Sequence, residues 1–296
     1  MILAALSLAA AVAGAPAPDA TPLNHFFVVP DAATFDAMKK SAFLHEAFGV
    51  YEERTTVRND ISYTGIYFYG ENTYFEFLPP DTSRKTGEAG VAFGLEEPGA
   101  STATEKRLSE ALSSPVRNFV VTRRLGSDDV PWFRMVGVEA PAEAAFATWS
   151  MEYDPAFLAR WHEELPPASR AITRANVLTR YAESLDQAKG RDARWLRDVT
   201  ALTLALSEPD RAAFARQLEA YGYRVETSGA ETIARGSKMT FRLRPASADE
   251  RGIVEATFAV KAGTLSPAEH RFGASVLSLP GDGTARWQFS VPAATP

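Results

Sequence analysis

The stretch Leu23–Phe35, LNHFFVVPDAATF, decides the fold, because the chain nearly says it twice. A strand-like apolar run carrying one histidine, His25, leads into Pro30 and Asp31, and Asp31 has the chemistry to cap the helix that follows. Far downstream, VTALTLAL leads into SEPDRAAF, where Ser207 and Asp210 have capping-box spacing. Two more echoes keep the same order. FGVYEERT from Phe48 resembles YGYRVETS from Tyr221, and TYFEFLPP from Thr73 resembles MTFRLRPA from Met239. Matches in one order point to a duplicated βαβββ unit, and each copy is expected to need a partner to bury the concave face of its sheet.

Outward from that stretch, residues 23–80 read as strand, helix, then three strands, with the helix broken near Ser41 and stopped by Gly49 in the left-handed conformation. Residues 90–154 read the same way: VAFGLEE, the helix STATEKRLSEALS, then RNFVVTRRL, WFRMVGVE and AFATWSMEY. Two helices follow, one with Phe157, Trp161 and Leu165 on a stripe, the other with Ile172, Leu178, Tyr181 and Leu185 facing inward. The first pattern returns from Asp198, and GIVEATFAVK opens a partial fourth block that a hairpin closes. The expected division is a signal peptide over 1–20, a paired domain over 23–155, a helical linker layer over 156–196, and a second, degenerate domain with a C-terminal hairpin over 197–296.

Hydrophobic residues make up 46% and charged ones 23%, a composition able to fill a large core. A net charge of −6 without a run of Lys or Arg gives no footprint for nucleic acid. Ile2–Val12 is an apolar run followed by small residues, the pattern of a secretory signal, although no Lys or Arg precedes it; a helical tail is the alternative. The run is too short to span a bilayer, and no later segment reads as a membrane span. The absence of cysteine removes disulfides and thiolate metal sites and fits an exported, periplasmic or secreted protein. No phosphate-cradling loop, nucleophile elbow, HExxH or EF-hand loop is present.

LNHFFVVPDAATF, GENTYFEFLPP and GVAFGLEE resemble the glyoxalase-like branch of the vicinal oxygen chelate superfamily, which includes glyoxalase I, extradiol dioxygenases and bleomycin-resistance proteins. The resemblance covers most of residues 23–155 and, more loosely, 197–262. It implies an α+β fold of repeated βαβββ units forming mixed curved sheets, with a helical insertion between the unit pairs. It also implies a cup holding a divalent metal (Zn, Fe, Mn or Ni) through a first-strand His and a fourth-strand Glu of each unit, where substrate oxygens chelate the ion.

On that pattern the first unit keeps His25 and Glu76, and the second keeps only Glu152, with Phe93 in its His region. The third has Ala201 at the His position and Arg242 at the Glu position. The expected metal ligands are therefore His25, Glu76 and Glu152, with Glu76 or Glu152 doubling as general base. Period-2 alternation puts Phe75 and Phe77 on one face of their strand and Glu76 on the other with Tyr74 and Leu78. The plainer alternatives are a His25–Glu76 pair without metal, Glu152 paired to an arginine, and Arg242 as a solvated strand residue or an anion clamp. Tyr63, Tyr67, Phe68, Tyr69 and Tyr74 line either a ligand pocket or an ordinary strand pair. His45, His162 and His270 read as boundary residues. The expected partner is a small oxygenated molecule. Metal-dependent lyase, isomerase or dioxygenase chemistry, metal-free sequestration and a non-catalytic structural copy stay open, as does closure of the cup within one chain or across a homodimer.

Overall fold

The structure is a computed structural model that describes residues 19–139, 144–161, 172–185, 191–263 and 268–289. The expected signal peptide and His162 lie outside these residues, apart from Asp19 and Ala20. Two eight-stranded sheets form the frame. The first contains β1 (Leu23–Val28), β2 (Val50–Val57), β3 (Ser62–Tyr69), β4 (Tyr74–Phe77), β5 (Ala89–Leu95), β6 (Val116–Leu125), β7 (Asp128–Val138) and β8 (Phe146–Tyr153), ordered β2-β3-β4-β1-β5-β8-β7-β6. The second contains β9 (Leu196–Leu206), β10 (Arg224–Ser228), β11 (Glu231–Arg235), β12 (Thr240–Pro245), β13 (Gly252–Val260), β14 (Glu269–Phe272), β15 (Ser275–Ser278) and β16 (Thr284–Gln288). Its order, β10-β11-β12-β9-β13-β16-β15-β14, repeats the first. The fold is α+β, built from repeated βαβββ units in mixed curved sheets.

Three units carry a crossover helix: α1 (Ala32–Lys39), α2 (Ala100–Ala111) and α5 (Glu208–Ala220). In each of them the first and fourth strands pair in parallel. Parallel neighbours need a return run of chain, and the helix supplies it. No helix is described between β13 and β14, and β13 pairs with β16 antiparallel. Asp31 caps α1 by accepting the Thr34 N–H at 3.0 Å, and Ser207 caps α5 as its spacing predicts. The α1 region does break near Ser41, continuing as a π turn over Leu44–Phe48. Gly49 is extended (φ −142°), so it does not act as a left-handed stop.

The concave faces are not what the units bury against each other. The sheets pack back to back, and Phe26, Phe75, Phe77 and Phe93 share one core with Leu202, Phe241, Phe258 and Trp287. Both concave faces therefore turn outward. The first sheet curls until its outer strands meet, through a bridge between Arg58 and Arg123 and a 3.3 Å bond from the Thr122 N–H to Asn59 Oδ1. Its cup thus closes within one chain. Between the sheets in sequence come α3 (Pro155–Trp161) and α4 (Arg174–Leu185), which roof part of this cup with Phe157, Leu158, Val177, Leu178 and Tyr181. Ile172 is buried as expected, whereas Leu185 is 38% exposed.

Gly252 opens β13 at φ +71°, and a Cβ there would stand 2.4 Å from the Gly87 carbonyl oxygen. Gly229 has φ +59° but nothing within 4 Å. Urea denaturation should show Gly252→Ala losing about 2 kcal/mol or more, and Gly229→Ala about 1 kcal/mol. Equal losses would mean that the contact between the sheets is not tight.

Candidate functional site

Parity along β1 is set by a bulge. Leu23 pairs with Phe93 and His25 with Ala92, so Asn24 is the extra residue. Without it Leu23 and His25 would share a face. With it, Leu23 joins the core between the sheets while His25 and Phe27 line the cup. On β4, Phe75 and Phe77 take the core side and Tyr74, Glu76 and Leu78 the cup side, as alternation requires.

His25 and Glu76 meet there, 3% and 4% exposed, with His25 Nε2 3.5 Å from Glu76 Oε1. His25 Nδ1 lies 2.8 Å from Asn24 Oδ1. An amide oxygen only accepts, so Nδ1 carries the proton and Nε2 turns its lone pair toward the acid. Burial, then the charges of Arg58 and Arg54, lower the His25 pKa to about 3. Burial pushes the Glu76 carboxyl up to about 7 against the pull of Arg54, a hydroxyl from Tyr67, Arg58 and Arg84. The pair is therefore a neutral imidazole facing an acid that exchanges one proton near neutrality, rather than an ion pair. Glu76 Oε2 is buried with no hydrogen-bond partner.

The walls are aromatic. Tyr74 stacks on the His25 ring at 4.3 Å, and Trp149 meets its edge at 5.4 Å. A Cβ on Gly90 would lie 2.3 Å from Phe27 and 2.9 Å from Trp149, so a glycine makes this packing possible. The cavity, about 240 Å³, is also lined by Tyr63, Leu78, Trp132 and Met151, and by Ile61, which is 49% exposed. Arg58 and Arg84 line it as well, but their charges are taken by Asp60 and Asp81.

The roofed part of the cup is filled. Tyr181 of α4 stacks on Tyr69 at 4.9 Å and accepts from Arg123 at 2.6 Å. Beneath it Arg54 donates to Glu52 and to the Tyr69 hydroxyl, both at 2.8 Å, and lies over the Tyr67 ring. Of the five aromatic candidates, Tyr63 and Tyr74 line the cavity, Tyr67 and Tyr69 line the roofed part, and Phe68 belongs to the core.

Glu152 is not in the cup. The cup positions of β8 are Trp149, Met151 and Tyr153, and period 2 sends Glu152 to the other face. Its carboxylate accepts the Gly99 and Ser101 N–H groups, each at 2.7 Å, and anchors the start of α2. Phe93 likewise packs in the core, and β5 offers Gly90, Ala92 and Gly94 to the cup side. In the second sheet Ala201 pairs with Thr240 and Arg242 with Thr203, as His25 pairs with Tyr74 and Glu76 with Phe27. The third unit thus has neither a His nor a Glu at those places. His45 stacks on Tyr51 and His270 on Phe43, and neither lines the cavity.

These residues do not fit a divalent metal. Among the described residues no three His, Cys, Asp or Glu side chains come together. His25 and Glu76 supply two donors, the other imidazole nitrogen is held by Asn24, and the remaining polar lining is Arg58, Arg84, two tyrosines, two indoles and Glu88, which does not join the pair in a group of three. Sequence reasoning missed Asn24, Trp132 and Trp149. The alternation of Trp149, Met151 and Tyr153 in FATWSMEY was the available signal for Trp149.

The paired βαβββ cup implied by the resemblance is present. The chain belongs to the family described as "Family of unknown function (DUF5829)", which it matches over residues 23–289. No curated protein matches it. Among solved structures it is similar to a hypothetical protein from Staphylococcus aureus, with a TM-score of 0.44, 8% identity, and coverage of 76% of this chain and 86% of that one. It is also similar to a homoprotocatechuate 2,3-dioxygenase variant from B. fuscum, with a TM-score of 0.43, 14% identity, and coverage of 93% and 73%. A third is a xylose isomerase-like TIM barrel/4-hydroxyphenylpyruvate dioxygenase fusion protein, at TM-score 0.42 and 11% identity; 79% of this chain spans only 34% of that one. The fold rests on the chain's own topology rather than on these likenesses.

The raised Glu76 and lowered His25 give opposite pH dependences. Glu76 keeps its proton in the folded state up to about 7, against an ordinary value of 4.5, so its contribution to stability falls as pH rises between the two. His25 stays neutral down to about 3, against 6.5, so its contribution rises with pH between those values. Glu76→Gln removes only the first effect. Its stability relative to the unchanged protein should climb from pH 5 to pH 8, by roughly 3 kcal/mol. A flat difference in urea titrations would show an unperturbed carboxyl.

Proposed function

We propose that this protein binds one small, mostly apolar molecule in the first cup without a metal, holding a polar atom of it against His25 and Glu76. The observation that carries this reading is the buried acid Glu76 set beside His25 in the wall of an aromatic-lined cavity, with Oε2 helped only by the neighbouring Tyr67 hydroxyl. A purely structural copy gains nothing from such a group, because a buried acid costs stability that an apolar residue would not. Metal-dependent lyase, isomerase or dioxygenase chemistry would need at least one more donor at His25 and Glu76. Sequestration of the ligand, as in the bleomycin-resistance proteins of the superfamily the sequence resembles, asks only for the pocket. The same proposal places the protein outside the cytoplasm, supported by the apolar run Ile2–Val12 and the lack of cysteine.

The test is metal content together with binding. After incubation with Zn, Fe(II), Mn and Ni salts and desalting, the protein should retain less than about a tenth of an equivalent of any of them. A stoichiometric ion that His25→Ala abolishes would overturn the metal-free reading. The fluorescence of the tryptophans should respond to a small bicyclic phenol such as 2-naphthol. His25→Ala should weaken that response about tenfold while leaving the circular dichroism unchanged.

A further inference from the structure

The second unit brings no imidazole or carboxylate to the cup, yet it is not merely apolar there. Trp132 on β7 and Trp149 on β8 both line the cavity, and both indole Nε1–H groups are buried without a hydrogen-bond partner. An indole nitrogen has one role, donation. A buried donor left unmet is costly, and phenylalanine would fill the space without that cost. Two such unmet donors, carried by residues that line the same small cavity as Glu76, form a set. The first unit offers an acid–imidazole pair, and the second offers two donors.

The charges nearby narrow the class further. Arg58 is engaged by both Asp60 oxygens, and Arg84 is paired with Asp81, so the charge of each guanidinium is already met in part. Glu88 also lines the cavity, which disfavours a negatively charged guest. A volume of about 240 Å³ lies below the range of drug-sized pockets, and the walls of Phe27, Tyr63 and Tyr74 suit a flat ring.

We infer that the natural ligand is a small, uncharged, planar ring compound bearing a carbonyl oxygen, which accepts from the indoles of Trp132 and Trp149, and a hydroxyl that meets Glu76. The inference rests on the proposed metal-free pocket and assigns its donors. Trp132 and Trp149 are then the residues that distinguish a carbonyl compound from a hydrocarbon or phenol of the same shape.

The test uses two bicyclic probes of matched outline, 7-hydroxycoumarin, which has a carbonyl, and 2-naphthol, which has none. Both are neutral at pH 6, where the titrations are run on the full chain. The carbonyl probe should bind about tenfold more tightly. Trp149→Phe and Trp132→Phe should each lower the ratio of the two affinities at least about threefold, whatever they do to 2-naphthol binding itself. Should a variant fail to fold, the unchanged protein still decides the matter by nuclear magnetic resonance. Two indole N–H proton signals should move downfield and exchange more slowly with 7-hydroxycoumarin but not with 2-naphthol. Equal affinities for the two probes would overturn the assigned class and leave the pocket standing. A preference that survives both substitutions, or indole signals that do not move, would overturn the role of the indoles. If neither probe binds, the pocket reading itself falls and the inference with it.

Discussion

Everything in this molecule follows from the two sheets sharing one aromatic core. Phe75 lies 5.1 Å from Phe258 of the second sheet, and Phe77 lies 5.0 Å from Trp287. Once those rings are committed to the core, strand pleating leaves no choice for Glu76, which must turn into the cup. The buried acid is therefore a consequence of how the sheets adhere. Its cost is contained locally, because His25 offers a lone pair and Arg54 supplies positive charge from beneath the roof. Charge and proton together keep the carboxyl near the point where both of its forms are accessible.

The same geometry gives two cups of opposite character. The second is lined by Arg242, Arg244 and Arg286 with Glu231, Glu250 and Glu255, and two of the arginines pair with glutamates. A face of that kind is content in water, since exposed ion pairs gain little from being covered. The first cup is lined by rings, and an apolar hollow of that size needs a cover. The α3–α4 segment provides it, with Tyr181 lying flat on Tyr69. Arg174, at the start of α4, ties the segment down by donating to Glu96 and to the Leu23 and Asn72 carbonyls. What the roof leaves open is the end of the cup at His25 and Glu76.

How much of this could be read from sequence depends on which physical signal carried it. The repeated units were legible because strand, cap and helix recur in order, and Asp31 and Ser207 do cap their helices. The meeting of His25 with Glu76 was legible from alternation and from the cost of a lone buried acid. Glu152 shows the limit. It is flanked by Met151 and Tyr153 as Glu76 is flanked by Phe75 and Phe77, but the flanking side chains enter the cup in one case and the core in the other. Both faces of this sheet are apolar, so a local pattern cannot say which face is which. The bulge at Asn24 is hidden for a related reason: only the pairing of β1 with β5 reveals that one residue is extra.

The absence of a His–Glu pair from the second and third units is easily taken as decay, but the first cup argues otherwise. Decay would leave hydrocarbon or solvent where donors had been. Here the second unit presents indoles, and Arg58 and Arg84 are drawn off into pairs with Asp60 and Asp81. A cation would find no group of three ligand side chains among the described residues, and arginines close by. A neutral guest would find an acid able to give or take a proton, an imidazole lone pair and two waiting N–H groups. The hollow relies on the directionality of hydrogen bonds, and in a desolvated site direction discriminates strongly between guests of one shape.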